Sequence, residues 1–278
     1  FKKNKSFDIA FIGDSFTEAV GVNFEDSFVG IISSELKDYK IANLAASSYS
    51  PSIYYSKINY LLNKNYNFSE VVVFIDISDI QDDSVCYKLE KDIIKRRSNN
   101  YSCFQNDKDF SDKFKKKLRL SSQLVNLIQK ELIKFNLISY KPPKKIVNHP
   151  RARWTYDYRK KDFNGLPLEE ATKTTVNNMK LLSDLLKQNN ILLSVAVYPW
   201  PGTLKNDKKE NKQIQLWKNF CDLNCNNFYD LMEPFFALSE KQPFNRFYER
   251  VYIRGDIHFN KEGNRILAKN FLKLYKLK

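Results

Sequence analysis

The sequence predicts an α/β protein, a three-layer α/β/α sandwich around a five-stranded parallel sheet with a partly helical insertion. Short apolar runs rich in β-branched residues alternate with segments of helical periodicity, strand then helix, along the whole chain. That alternation is the pattern of a parallel sheet covered by helices on both faces. The run VVVFI at 71–75 has no polar alternation, as expected of a strand buried on both sides. With 278 residues, 42% of them hydrophobic, the chain has material for a sizeable core and lacks the composition of a disordered one. We expect one domain over 1–278, interrupted by an insertion at about 82–164.

In order along the chain, residues 7–12 read as a buried strand, and residues 26–36 as a helix with Phe28, Ile31, Ile32 and Leu36 at helical spacing. A short strand is expected at 40–43. Pro51 opens a helix, as proline does in a first turn, with Ile53, Ile58, Leu61 and Leu62 on its apolar stripe. After the strand at 71–75 comes the insertion, polar and aromatic except for an amphipathic helix at 121–135. We expect it to lie over one end of the sheet. Residues 168–187 return to helix, 191–197 form a strand that stops at YPWP (198–201), and 211–220 read as helix. A short strand at 227–229 and a closing helix at 261–275 complete the chain. There is no internal repeat.

The net charge is +14. The lysines are spread over the whole length, with dense runs only at DKFKKKLR (112–119) and KPPKK (141–145). No nucleic-acid-binding motif accompanies them, so no nucleic-acid partner is expected. A basic surface instead suits an acidic polysaccharide or association with an anionic membrane surface. No run of about 18 apolar residues exists to span a bilayer. The chain opens FKKNK, which fits a mature form from which a leader or anchor has been removed. Four cysteines lack metal-ligand spacing and only two histidines are present, so neither a metal site nor a cofactor is expected. The cysteines either pair, in an exported protein, or remain buried thiols in a reducing compartment.

In a parallel sheet of this kind ligands bind at the carboxyl ends of the strands. Ser15 lies just past the first strand, in FIGDSFTEA (11–19), and Ser48, Ser78 and Trp200 each follow a later one. A serine hydroxyl is a poor nucleophile until a base takes its proton. His258, in GDIHFNKEG (255–263), is a candidate base. Asp256 stands two residues before it, so that in extended backbone both side chains point the same way. A carboxylate there holds an imidazole in one tautomer and stabilises the imidazolium.

GDSF near one end and D-x-H-x-N-x-x-G near the other resemble the SGNH, or GDSL-like, hydrolase family. The resemblance covers most of the chain outside the insertion and implies a flavodoxin-like sheet. It also implies a catalytic triad of Ser15, His258 and Asp256 and an oxyanion hole from Ser15, Ser48 and Ser78. The implied activity is an acyl-ester hydrolase with an acyl-enzyme, acting on an O-acetylated carbohydrate or other small ester. The sequence departs from the family in two blocks. Ser48 stands where the family has glycine, and Asp76-Ile77-Ser78-Asp79 stands where it has G-x-N-D. Ser48 keeps the backbone N–H that would donate. Ser78 would have to donate by its hydroxyl, and losing one such donor costs roughly 10²–10³ in rate. The pair is spaced D-x-H here, where many members have D-x-x-H.

Members of the family are often exported, which implies a periplasmic or membrane-tethered protein, with a cytoplasmic one left open, and disulfides Cys86–Cys103 and Cys221–Cys225. Trp200, Trp154, Tyr156 and Tyr158 are candidates for substrate binding, since flat aromatic faces suit sugars and acyl chains. An O-acetyltransferase would use the same triad with a sugar hydroxyl in place of water. A glycan-binding module without catalysis would keep the fold alone. Asp14, Asp76, Asp79, Asp82 and Asp83 are expected near the rim, where paired carboxylates suit glycosidase chemistry but more often cap helices. The oligomeric state is not legible.

Overall fold

A computed structural model describes residues 5–97 and 140–276. The helix expected at 121–135, the basic run at 112–119 and Cys103 lie outside the described residues.

Five parallel strands form the central sheet: β1 (Ser6–Gly13), β2 (Ile41–Asn43), β3 (Asn67–Ile75), β4 (Leu192–Val197) and β5 (Asn227–Asp230). Their order is β2-β1-β3-β4-β5, the flavodoxin-like arrangement. Register is continuous across the centre, with Phe11 beside Val72, Val73 beside Val195, and Ala196 beside Tyr229. Val71, Val72, Val73, Phe74 and Ile75 are fully buried, as the unbroken apolar run requires.

The helices are α1 (Ser15–Glu18), α2 (Phe28–Glu35), α3 (Pro51–Asn63), α4 (Leu168–Gln188), α5 (Lys212–Asn224), α6 (Phe244–Val251) and α7 (Lys261–Tyr275). On one face α2, α6 and α7 pack together, and on the other α3, α4 and α5. Phe11, Phe28, Phe74 and Phe271 join sheet to helices, with ring centroids 4.6–5.6 Å apart. Two short antiparallel hairpins flank the expected insertion's described parts, Tyr87–Glu90 with Ile93–Arg96 inside it and Asp162–Phe163 with Leu166–Pro167 across its end. The segment's second half is tied to the carboxyl rim of the sheet. The Trp154 indole N–H donates to Ile77 O at 2.9 Å, and Asn206 Nδ2 donates to Val147 O at 2.8 Å.

α6 had no counterpart in the expected elements. Its sequence, FNRFYERV, is amphipathic and buries Phe247, Tyr248 and Val251, but its eight residues are shorter than the window over which helical periodicity is read. Cys221 and Cys225 form a disulfide at the end of α5.

Candidate active site

The turn from β1 into α1 closes around Gly13. A Cβ at that position would sit 2.4 Å from Thr17 Oγ1 and 2.8 Å from Phe74 O. Asp14 caps α1 by accepting from the Phe16 N–H at 3.0 Å. Ser15 therefore starts a helix at the junction of β1 and β3, where the connections leave the sheet in opposite directions.

The Ser15 Oγ lies 2.8 Å from His258 Nε2, and His258 Nδ1 lies 2.6 Å from Asp256 Oδ1. The tautomer that satisfies both contacts has its proton on Nδ1 and leaves Nε2 free to accept the serine hydrogen. Asp256 and His258 do not meet through extended backbone, as the spacing suggested, but through a bend. Asp256 Oδ1 also accepts from the backbone N–H of Ile257 at 2.6 Å and of His258 at 3.2 Å. The hydrogen bond from His258 holds the Asp256 carboxyl at about 2, against the opposing effect of partial burial. Tyr248 fixes the bend, since its hydroxyl accepts from the Asp256 N–H at 3.0 Å. Behind the imidazole, the Phe16 ring packs at 4.7 Å. Asn260 caps α7 by accepting from Glu262 and Gly263, which sets where the loop ends.

Ser48 has φ +63, the left-handed region that glycine favours. The backbone thus takes a conformation that glycine, the residue the resemblance implies here, would adopt without strain. Among the described residues neither the Ser15 nor the Ser48 N–H has a hydrogen-bond partner. The loop carrying Ser48 is tied to α1, because Glu18 Oε2 accepts from the Ser47 N–H at 2.7 Å and Asn43 Nδ2 donates to Thr17 O at 2.8 Å. Neither tie was legible in the sequence.

Ser78 departs from expectation. It is buried, and both its N–H and its hydroxyl donate to Asp76 Oδ1, at 2.8 and 2.6 Å. Its one hydroxyl proton is therefore committed, and none is left for an oxyanion. Trp200 and Trp154 also differ from the substrate-facing role expected of them. Both are buried, and the Trp200 N–H donates to Asp76 Oδ2 at 2.7 Å. Tyr156 is half-buried and, with Arg153, Tyr158 and Asn206, lines a cavity of about 460 Å³.

The acidic residues do gather beneath the rim. Asp83 accepts from the Ser52 N–H at 2.7 Å and so satisfies the first turn of α3, the ordinary capping use. Asp82 pairs with Arg151. Asp14, Asp76 and Asp79 each bring an oxygen within 4.8 Å of the others, close enough for a cation in principle. Most of these oxygens already accept N–H or O–H hydrogen bonds. Tyr198 lies between Asp14 and Asp76, 3.1 Å from Asp14 Oδ1 and 2.9 Å from Asp76 Oδ2. Burial, and then the neighbouring Asp76, push the Asp14 carboxyl up to about 7. Asp14 Oδ2 is 3.2 Å from the Ser15 Oγ, a second acceptor that the motif alone did not reveal.

Solved structures share this architecture. TesA superposes with a TM-score of 0.52 at 10% identity, over 97% of this chain and 98% of that one. A member of the lipolytic protein G-D-S-L family from Veillonella parvula DSM 2008 gives 0.50 at 12% identity, over 97% and 98%. A catalytic mutant of Axe2, an acetylxylan esterase from Geobacillus stearothermophilus, gives 0.50 at 11%, over 96% and 93%. No protein-family model matches the sequence, and no curated protein does. The likeness is one of fold.

Proposed function

We propose that this chain, which has the SGNH or GDSL-type hydrolase fold, is a serine-dependent acyl-ester hydrolase acting on O-acetylated carbohydrate. One observation carries the proposal: the unbroken hydrogen-bond path from Ser15 Oγ through His258 to Asp256. Ser15 Oγ attacks the ester carbonyl while its proton passes to His258 Nε2. The tetrahedral oxyanion is met by the N–H groups of Ser15 and Ser48, two donors without another partner among the described residues. His258 returns the proton to the departing alcohol and leaves the acyl group on Ser15. A water then repeats the sequence: its proton goes to His258 and its oxygen to the acyl carbon, and the bond from that carbon to Ser15 Oγ breaks as His258 returns the proton to Oγ and the acid leaves. Asp256 keeps Nδ1 protonated throughout and stabilises the imidazolium. With Ser78 committed to Asp76, the hole has fewer donors than the family's, and turnover is expected to be correspondingly slow.

The carbohydrate preference rests on the basic surface and on the polar, tyrosine-bearing cavity beside Tyr156. The Cys221–Cys225 disulfide supports placement in an oxidising compartment, hence export.

The test is labelling with a fluorophosphonate probe, located by mass spectrometry, followed by acetate release from O-acetylated polysaccharides. Labelling at Ser15 that is lost in Ser15→Ala and His258→Ala supports the proposal. Folded protein that is never labelled and releases no acetate sinks it. Acetyl appearing on an added sugar rather than in water would point instead to an O-acetyltransferase.

A further inference from the structure

Two acceptors compete for one proton at Ser15. His258 Nε2 is 2.8 Å from Oγ and Asp14 Oδ2 is 3.2 Å from it. What Asp14 does depends on its own proton, and its neighbours determine where that proton sits. Asp76 is surrounded by donors: the Ser78 N–H and hydroxyl on one oxygen, the Trp200 N–H on the other. It is the anion of the pair. The single proton of Tyr198 is then best used toward Asp76, at 2.9 Å. The Tyr198 oxygen, thus turned, faces Asp14 Oδ1 at 3.1 Å as an acceptor, and the contact is filled only if Asp14 carries a proton. Further groups facing Asp14 are Asp79 from the β3 rim, Tyr54 from α3, His258 from the loop before α7, and Arg151, which is paired with Asp82. Asp14 itself is buried.

We propose that Asp14 is a proton-holding positioning residue for Ser15. In its neutral form Asp14 leaves the serine hydrogen to His258, and in its ionised form it competes for that hydrogen and opposes the charge that develops beside it. The inference rests on the esterase proposal above for its kinetic consequence, though not for the proton placement. Raising the pH ionises Asp14, in line with the raised titration that burial gives it. Attack by Ser15 should therefore fall toward the alkaline end, and that falling limb should belong to Asp14.

The test is the second-order rate of fluorophosphonate labelling at Ser15 between about pH 5.5 and pH 9.5, in the native chain, Asp14→Asn and Tyr198→Phe. The native rate is expected to fall about tenfold per pH unit beyond its maximum. Asp14→Asn keeps the Phe16 cap and cannot ionise, so the fall should vanish. Tyr198→Phe keeps the ring contact with Phe16 at 4.9 Å but removes the hydroxyl that Asp14 shares with Asp76, so the fall should move away from its native pH. A native rate that stays level to the alkaline end, a fall retained in Asp14→Asn, or one uniform loss at every pH overturns the proposal. Proton NMR of the imidazoles supplies a readout independent of turnover, since His149 and His258 are the only two. The His258 ring should show a second inflection that Asp14→Asn removes. A single inflection in the native chain overturns the proposal even if labelling is efficient. A second inflection in a chain that is never labelled supports the proton placement and sinks the esterase.

Discussion

Replacing Ser48 by glycine separates what its backbone does from what its side chain does. Ser48 holds φ +63, and a left-handed conformation costs a non-glycine residue roughly 1–2 kcal/mol. Glycine removes that cost but gives up about 0.5–1 kcal/mol through the larger entropy of its unfolded chain. The difference leaves Ser48→Gly more stable by about 0.5–1 kcal/mol, which for a chain of this size is a rise of about 1–4 °C in Tm. The Ser48 N–H remains where it was, so labelling of Ser15 should change by no more than about threefold, far less than the ~10²–10³ expected when an oxyanion donor is lost. Thermal unfolding with and without probe, on the same samples, reads both quantities. A lower Tm would refute the strained-backbone argument. An unchanged Tm with labelling down by about a hundredfold would show that the hydroxyl, not the N–H, does the work.

Three further outcomes are expected. Burial and the nearby Asp76 hold the Asp79 carboxyl well above its usual 3.8, so the folded chain keeps a proton that the unfolded chain has lost, and stability falls as pH rises through that window. Asp79→Asn should therefore matter little near the acid end and be stabilising at alkaline pH, which urea titrations at several pH values would check. Gly30→Ala would bring a Cβ to 1.9 Å from the Phe24 carbonyl oxygen, and calorimetry should show a loss of about 1–3 kcal/mol as the first turn of α2 is pushed away. Ser78→Asn, the family-like residue, should not speed acyl transfer, since Asp76 would accept from the new amide, and should cost about 1–3 kcal/mol because a larger side chain enters a buried position; a clear gain in labelling rate would contradict that.

The sheet was legible because its signal is strong and local. VVVFI and the run before Gly13 must be buried, and the helices between them carry their apolar stripes at fixed spacing. The site was legible only in part. Ser15, Asp256 and His258 stand in recognisable stretches, and the fold brings Ser15 and His258 together across 243 residues of sequence. Asp256 and His258 pair through a bend, not through the extended backbone that their spacing suggests. Trp200 and Trp154 are buried for a different reason. A tryptophan that follows a strand end is as well placed to enter the core as to face a ligand, and Trp200 and Trp154 both find buried acceptors for their N–H groups. No periodicity encodes that choice, because it depends on carbonyl and carboxylate oxygens from distant segments.

The two departures in the third block are best understood as one exchange. Where the family has glycine and asparagine, this chain has Asp76 and Ser78, and each satisfies the other. A carboxylate introduced alone at a buried position would cost several kcal/mol. Here Tyr198 and Trp200, from the YPWP turn at the end of β4, supply the remaining donors. The turn that reads as a stiff strand exit in the sequence is thus the counterpart of Asp76. Ser78 is the residue whose hydroxyl the exchange consumes. The consequence reaches Ser15 through Tyr198, which touches both Asp76 and Asp14. Where the resemblance implies an amide donor, this chain carries two buried carboxyl groups, Asp14 and Asp76, joined through Tyr198 beside Ser15. Asparagine at position 78 would not by itself supply a free donor, because Asp76 would remain as an acceptor beside it for the new amide.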